Sequence, residues 1–105
     1  MKINKKDIYD YQNQGVVLLK NIISKSWILK LKEGIKKNFD NPSEFKCVYE
    51  KSKDKELFYD DYCNWNRISE YKNFLSKSQI GFFASQLMIS KKVNIFHEHV
   101  LVKES

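Results

Sequence analysis

Two histidines near the end of the sequence are its first candidates for chemistry. His97 and His99 stand two positions apart within residues 92–103, whose β-branched and aromatic content predicts a strand. On a strand they lie about 6.5 Å apart on one face, where two imidazoles can bind one zinc or iron ion. A third ligand has four acidic or sulfur candidates with no spacing to select among them: Asp60, Asp61, Glu44 and Cys63. Histidines that line a pocket or are hydrogen-bonded are the simpler interpretation, so we assign no metal ligand.

Arg67 is the second candidate, because it is the only arginine among 19 basic residues. A guanidinium group binds a carboxylate or phosphate through two parallel hydrogen bonds, which lysine cannot do. An internal carboxylate, Asp60 or Asp61, is the simplest partner. No histidine or nucleophile stands beside this acidic pair in the sequence, so we interpret both as surface carboxylates. We assign no catalytic residue.

Hydrophobic spacing predicts the elements that position these side chains. Residues 5–14 form a short helix that ends at Gly15, and residues 15–19 form a buried strand. Ser24 caps a second helix, which ends at residues 41–43. Its apolar positions form one stripe: Trp27, Ile28, Leu31, Ile35 and Phe39.

The second half of the sequence alternates charged and apolar segments. We predict a short strand at 45–49, a mobile charged loop at 51–56, a helix capped by Ser69 that runs to Leu75, and another helix capped by Ser78. One face of the last helix belongs to the core: Ile80, Phe83, Ala84, Leu87 and Met88. Residues 92–103 form the final strand.

Composition restricts the class of protein. The 105 residues allow one domain at most, and 42% hydrophobic residues are ample for a core. The net charge of +6 comes from residues 1–53, where 12 lysines face six acids. With one arginine, this charge fits a solvated lysine-rich helix face better than a nucleic-acid site. No secretory signal or membrane-spanning run occurs, and we predict a cytoplasmic protein with two buried thiols, Cys47 and Cys63.

Three blocks in order resemble a known family. Residues 15–24 (GVVLLKNIIS) form an entry strand that runs into a capped helix. Residues 62–67 (YCNWNR), followed by Tyr71, Phe74 and a helix at 78–89, form a middle block. Residues 95–104 (IFHEHVLVKE) form a strand that runs up to a Lys-Glu-Pro-type turn. Together they resemble the N-terminal part of the phytanoyl-CoA dioxygenase family of non-haem iron(II), 2-oxoglutarate-dependent oxygenases.

The resemblance implies a fold and a chemistry. Residues 1–105 would be a single partial domain of α+β class, with the N-terminal helices and first strands of a double-stranded β-helix, or jelly roll, whose barrel is incomplete. The intact family uses iron(II) and 2-oxoglutarate to hydroxylate a small organic substrate. Its iron ligands, an H-x-D pair and a distant histidine, would follow Lys103. The chain ends at Ser105, so we expect neither tight cofactor binding nor activity from it alone.

The resemblance also implies site residues and partners. His99, with Arg67 and Trp65 as neighbours, would form one wall of the 2-oxoglutarate pocket. An incomplete barrel leaves a strand edge unpaired, so we expect a separately encoded C-terminal half or self-association. The alternative is a small α+β protein-interaction module whose His97/His99 face binds a partner. A third interpretation, a basic nucleic-acid binder, is opposed by the scarcity of arginine.

Overall fold

The computed structural model describes residues 2–51 and 56–104. These residues form an α+β fold with four helices and a three-stranded sheet. In chain order the elements are α1 (Lys5–Gln14), α2 (Lys25–Asp40), β1 (Cys47–Lys51), β2 (Glu56–Tyr62), α3 (Ser69–Lys77), α4 (Ile80–Met88) and β3 (His99–Glu104).

The first two helices form where local signals predict them. The Asn4 side chain accepts a hydrogen bond from the Asp7 amide at 2.8 Å at the start of α1. Gly15 ends this helix in the left-handed conformation (φ 77°), which a residue without Cβ adopts without strain. Ser24 Oγ accepts a hydrogen bond from the Trp27 amide at 3.3 Å and caps α2. Both helix predictions are confirmed.

The sheet is antiparallel, with β2 between β1 and β3, and it is not closed. Its register pairs Cys47 with Asp60 on one side of β2, and Tyr62 with His99 on the other. The strand predicted at 45–49 forms two residues later, as β1. Lys51 and Glu56 belong to strands instead of the predicted 51–56 loop. Residues 52–55 of that loop lie outside the described residues.

One predicted strand does not form, and another forms only over its second half. Residues 16–19 form no strand, and Val16 and Leu18 are largely exposed, because no strand of the described sheet lies beside them to pair with. The strand predicted at 92–103 pairs only from His99 onward. The pairing stops there because its partner β2 ends at Tyr62, and Cys63 (φ 63°) turns the chain away.

The two helices between β2 and β3 have cap residues that differ from the predicted ones. Ser69 is the first residue of α3 and not its cap, which is Ile68. Ser78 accepts a hydrogen bond from the Ile80 amide at 3.2 Å, although Gln79 holds the cap position of α4. Of the core face predicted for α4, Phe83 is buried, whereas Met88 at the end of the helix is 51% exposed, so the prediction is wrong for Met88.

The core lies between helices and one face of the sheet. Its buried apolar side chains are Ile3, Tyr59, Ile68, Tyr71 and Phe83. The end of α2 reaches the sheet where the Phe39 ring meets the Tyr59 ring edge-on, with centroids 4.5 Å apart. α1 lies against α4, and Gln12 Nε2 donates to the Leu87 carbonyl at 2.7 Å. None of the helices in the described ranges is long and apolar enough to span a membrane.

A close approach between α2 and α3 yields a prediction. A Cβ on Gly34 would lie 2.8 Å from Tyr71 Cε1 and 2.9 Å from Glu70 Cβ. Alanine usually stabilises a helix interior relative to glycine by about 1 kcal/mol. Here we expect Gly34→Ala to lower the free energy of unfolding by roughly 1–3 kcal/mol in urea denaturation, because the helices must separate.

The matched control is Gly81→Ala on α4. Its Cβ would make only an ordinary contact, 3.7 Å from Val93 Cγ2. We expect this variant to keep or raise stability. Equal stabilisation by both substitutions would contradict the close packing of α2 on α3.

Candidate functional site

The two faces of the sheet have different surroundings. Tyr59 and Asp61 point to the face that meets α2 and α3, and both are buried. Phe58, Asp60 and Tyr62 point to the opposite face, since side chains alternate along a strand. We call this second face the open face. By register and ring contacts it carries Phe45, Cys47, Tyr49, Phe58, Asp60, Tyr62, His97, His99 and Leu101.

Aromatic rings cluster at one end of the open face. The Tyr62 ring stacks on Phe45, with centroids 4.8 Å apart, and His97 and His99 lie 5.8 and 5.2 Å from it. Much apolar surface remains uncovered by the described residues, since Tyr49 is 55% and Leu101 60% exposed. Large exposed apolar patches mark interaction or ligand sites in soluble proteins.

The two histidines lie on the same side, as their spacing predicts. Their ring centroids are 6.2 Å apart, although His97 precedes β3. His99 Nε2 lies 3.5 Å from Asp60 Oδ1, a contact that becomes an ion pair only when the imidazole is protonated. No group of three metal-ligating side chains occurs among residues 2–51 and 56–104. The sequence candidates for a third ligand are therefore not brought together with both histidines.

Arg67 lies apart from these histidines. Its Nε donates to Asn64 Oδ1 at 2.7 Å. In the described part of the chain it forms no ion pair with Asp60 or Asp61, so the predicted internal pairing is wrong. Arg67 borders a cleft of about 330 Å³ between the end of α2 and the start of α3, together with Lys37 and Glu70, which form an ion pair of 2.5 Å.

Trp65 belongs to the turn that connects β2 to α3. Its backbone amide donates to Glu98 Oε1 at 2.6 Å, so the turn after β2 contacts the residue just before β3. The structure thus brings the backbone segments of Trp65 and His99 close together. It shows no contact between the side chains of His99 and Arg67. The predicted 2-oxoglutarate wall stays a prediction.

The most extensive polar network surrounds Asp61, which sequence reasoning missed. Asp61 is completely buried, so the interpretation of Asp60 and Asp61 as two surface carboxylates is wrong for Asp61. Its Oδ2 accepts from Asn38 Nδ2 and from the Ser43 amide, both at 2.8 Å. Its Oδ1 accepts from Ser43 Oγ and from the Tyr62 amide at 2.9 Å. The carboxylate therefore joins α2, the loop after it and β2.

Two tyrosines complete this network. Tyr71 Oη donates to Asn38 Oδ1 at 3.0 Å, and Asn38 Nδ2 donates to Tyr59 Oη at 3.2 Å. Burial, followed by the Asp61 charge, raises the pKa of Tyr59 to about 12. Burial also raises the pKa of Tyr71. Both hydroxyls stay protonated at neutral pH and act as hydrogen-bonding groups.

The state of Asp61 excludes it as a general base. Burial alone would raise the pKa of its carboxyl group, but hydrogen bonds from Ser43 and Asn38 outweigh burial and lower the pKa to about 2. A carboxylate with this pKa takes up protons poorly near pH 7. It is also closed to solvent. Its role is to hold the fold together.

The cysteines differ from their predicted burial. Cys63 is exposed in the turn after β2, and Cys47 is half-buried; both are free thiols. Cys63 lies at the surface because the chain turns there to meet Glu98, whose carbonyl accepts from the Cys63 amide at 3.2 Å.

The Asp61 network predicts a pH-dependent stability. Because its pKa is about 2 in the folded chain and 3.8 ordinarily, its contribution is fully present above pH 4–5 and is lost as the pH falls towards 2. We expect Asp61→Asn to lower the free energy of unfolding at pH 7 by roughly 2 kcal/mol. Urea titrations between pH 2 and 7 should show a weaker acid dependence for this variant.

Asp60→Asn is the matched control, since it removes a charge from the neighbouring position on the opposite face. It should retain the acid dependence that Asp61 confers. An unchanged pH profile in Asp61→Asn would show that the buried carboxylate contributes nothing through its charge.

No protein-family model, curated protein or solved structure matches the chain. The resemblance to the phytanoyl-CoA dioxygenase family therefore rests on the three sequence blocks alone. The described residues establish a coarser result, an α+β fold with an open three-stranded antiparallel sheet.

Proposed function

We propose that the chain forms the N-terminal helices and first strands of an iron(II)- and 2-oxoglutarate-dependent dioxygenase-like domain of the jelly-roll type. The observation that supports this most is the asymmetry of the sheet. Helices contact the face of Tyr59 and Asp61, whereas aromatic rings and both histidines lie on the open face. In a jelly roll two sheets face each other, and the open face has the composition of an inner wall.

The described residues do not fit an iron site by themselves. A non-haem iron centre of this class needs two histidines and a carboxylate with open coordination positions. His97 and His99 form no such three-member group with a carboxylate, and the Asp60 carboxylate lies against His99. The iron ligands of the proposed domain would therefore come from a different polypeptide segment.

The contribution of this chain would be a wall of the co-substrate pocket. His99 lies on the open face beside Tyr62, and its imidazole can donate a hydrogen bond to a carboxylate such as that of 2-oxoglutarate. Trp65 and Arg67 stand in the adjacent turn. The intact domain would hydroxylate a small organic substrate. We place it in the cytoplasm, where Cys47 and Cys63 remain thiols.

A protein-interaction module without catalytic activity is the second candidate. The exposed Tyr49 and Leu101 on the open face support this candidate as well as they support the dioxygenase proposal, because an uncovered apolar surface can bind any complementary protein. The two candidates differ in what covers the open face. The dioxygenase proposal requires a second sheet that carries iron ligands, and the interaction module does not.

The first experiment is to sequence the DNA that follows the codon for Ser105 and to co-express the polypeptide it encodes. We expect an H-x-D pair and a distant histidine in that polypeptide, a stable complex with the chain, and iron-dependent formation of succinate from 2-oxoglutarate. The chain alone should form no succinate. A neighbouring sequence without these ligands in any frame would overturn the dioxygenase proposal and leave the interaction module.

The open face also predicts how the isolated chain behaves. We expect it to self-associate, and we expect Leu101→Ser to weaken this association about tenfold or more, since burial of one leucine contributes about 1.5–3 kcal/mol. Sedimentation velocity over a range of protein concentrations measures the effect.

Leu29→Ser on α2 is the matched control, because Leu29 and Leu101 are 62% and 60% exposed. It should leave association unchanged. A monomer with a concentration-independent melting transition, or equal effects of both substitutions, would refute a role for the open face in association.

A further inference from the structure

An imidazole nitrogen and a carboxylate oxygen approach each other on the open face. His99 Nε2 lies 3.5 Å from Asp60 Oδ1, across the pairing of β3 with β2. Tetrahedral zinc, whose bonds to such atoms measure about 2.0–2.2 Å, holds neighbouring ligand atoms about 3.3–3.6 Å apart. Imidazole and carboxylate are both common ligands of this ion. The two atoms therefore have the separation of two ligands of one zinc ion.

The pair supplies half of a zinc site and is accessible from outside the chain. The side chain of His99 is 39% exposed and that of Asp60 is 16% exposed. Within residues 2–51 and 56–104, no third histidine, cysteine, aspartate or glutamate side chain forms a metal-binding group with them. Structural zinc sites have four protein ligands, so two further ligands must come from another molecule.

A second copy of this chain supplies the missing half. In a twofold-symmetric contact, residues near the axis meet the same residues of the partner. Asp60 pairs in register with Leu101, which is 60% exposed and belongs to the surface through which we expect the isolated chain to self-associate. A twofold contact centred on Leu101 therefore brings two Asp60–His99 pairs together. The four side chains provide two imidazoles and two carboxylates.

The charge of this contact requires a cation. The two Asp60 carboxylates would meet beside apolar side chains such as Leu101, where like charges repel each other strongly. A zinc ion neutralises both carboxylates, and the imidazoles bind it in their neutral form. Magnesium and calcium prefer oxygen ligands alone, whereas imidazole suits zinc. We propose that a zinc ion binds between two copies of this chain, held by His99 and Asp60 of each copy.

The proposal rests on self-association through the open face and is independent of dioxygenase chemistry. Neither iron nor 2-oxoglutarate enters its test. A failure of the zinc site would leave the dioxygenase proposal intact. A neighbouring DNA sequence that encodes no iron ligands would likewise leave the zinc site intact.

Sedimentation velocity of the metal-free chain, with and without added zinc chloride at about pH 7.5, tests the proposal. We expect zinc to lower the dissociation constant of the dimer about tenfold or more, and calorimetric titration to give one zinc ion per two chains. A dissociation constant that zinc leaves unchanged, or zinc binding without dimers, would overturn the proposal. Association that strengthens in acid and ignores zinc would also overturn it, because protonated imidazoles would then neutralise the carboxylates.

Substitutions identify the ligands. His99→Gln and Asp60→Asn each remove one ligand from each copy, and we expect either variant to lose the response to zinc, with an unchanged circular dichroism spectrum as the check on folding. His97→Gln is the matched control, because the ring of His97 is exposed on the same face with its centroid 6.2 Å from that of His99. It should keep the full response. A response lost in His97→Gln, or kept in either of the other variants, would overturn the proposed ligand set.

Discussion

The buried carboxylate of Asp61 is the interaction on which the rest of this fold depends. It accepts hydrogen bonds from groups in α2, in the loop that follows and in β2 itself. A buried charge without these donors would cost several kcal/mol, so the helix and the sheet can approach each other only in the arrangement that supplies them. The contact also sets the phase of β2. With Asp61 turned inward, Asp60 and Tyr62 must point outward to the open face.

Neighbouring acids on one strand therefore have separate tasks. Asp61 maintains the packing of helix on sheet, while Asp60 lies 3.5 Å from His99 on the opposite face. The same alternation places Tyr62 between Phe45 and the two histidines. The cluster of aromatic rings and histidines on the open face is thus positioned by a carboxylate that lies on the opposite face of the sheet and does not contact it.

Sequence reasoning succeeded where the signals are local. Gly15 and Ser24 mark the end of α1 and the start of α2 because their conformational and hydrogen-bonding preferences act within a single turn. The period of two likewise placed His97 and His99 on one side. Sequence reasoning failed for residues 16–19. Their β-branched composition indicates a strand, but a strand needs a neighbouring strand to pair with, and the described residues offer none there. β2 was missed because aromatic and acidic residues occupy both of its faces.

The burial of Asp61 was beyond local reasoning for a related cause. Its donors, Ser43 and Asn38, come from 18 and 23 residues earlier in the chain. Asn38 stands three residues after Ile35, on the apolar stripe of α2, and a polar residue there was a signal for a buried partner. Only the pairing of strand and helix identifies that partner.

The open face has a consequence for the abundance of the protein in a cell. A surface that is buried only when something covers it makes the folded population depend on the concentration of the covering molecule, through mass action. If the open face is covered as we propose, scarcity of the covering molecule would leave more of the chain exposed to proteases and chaperones, and less of it would survive. The amount of this chain would then follow the supply of the proposed covering surface.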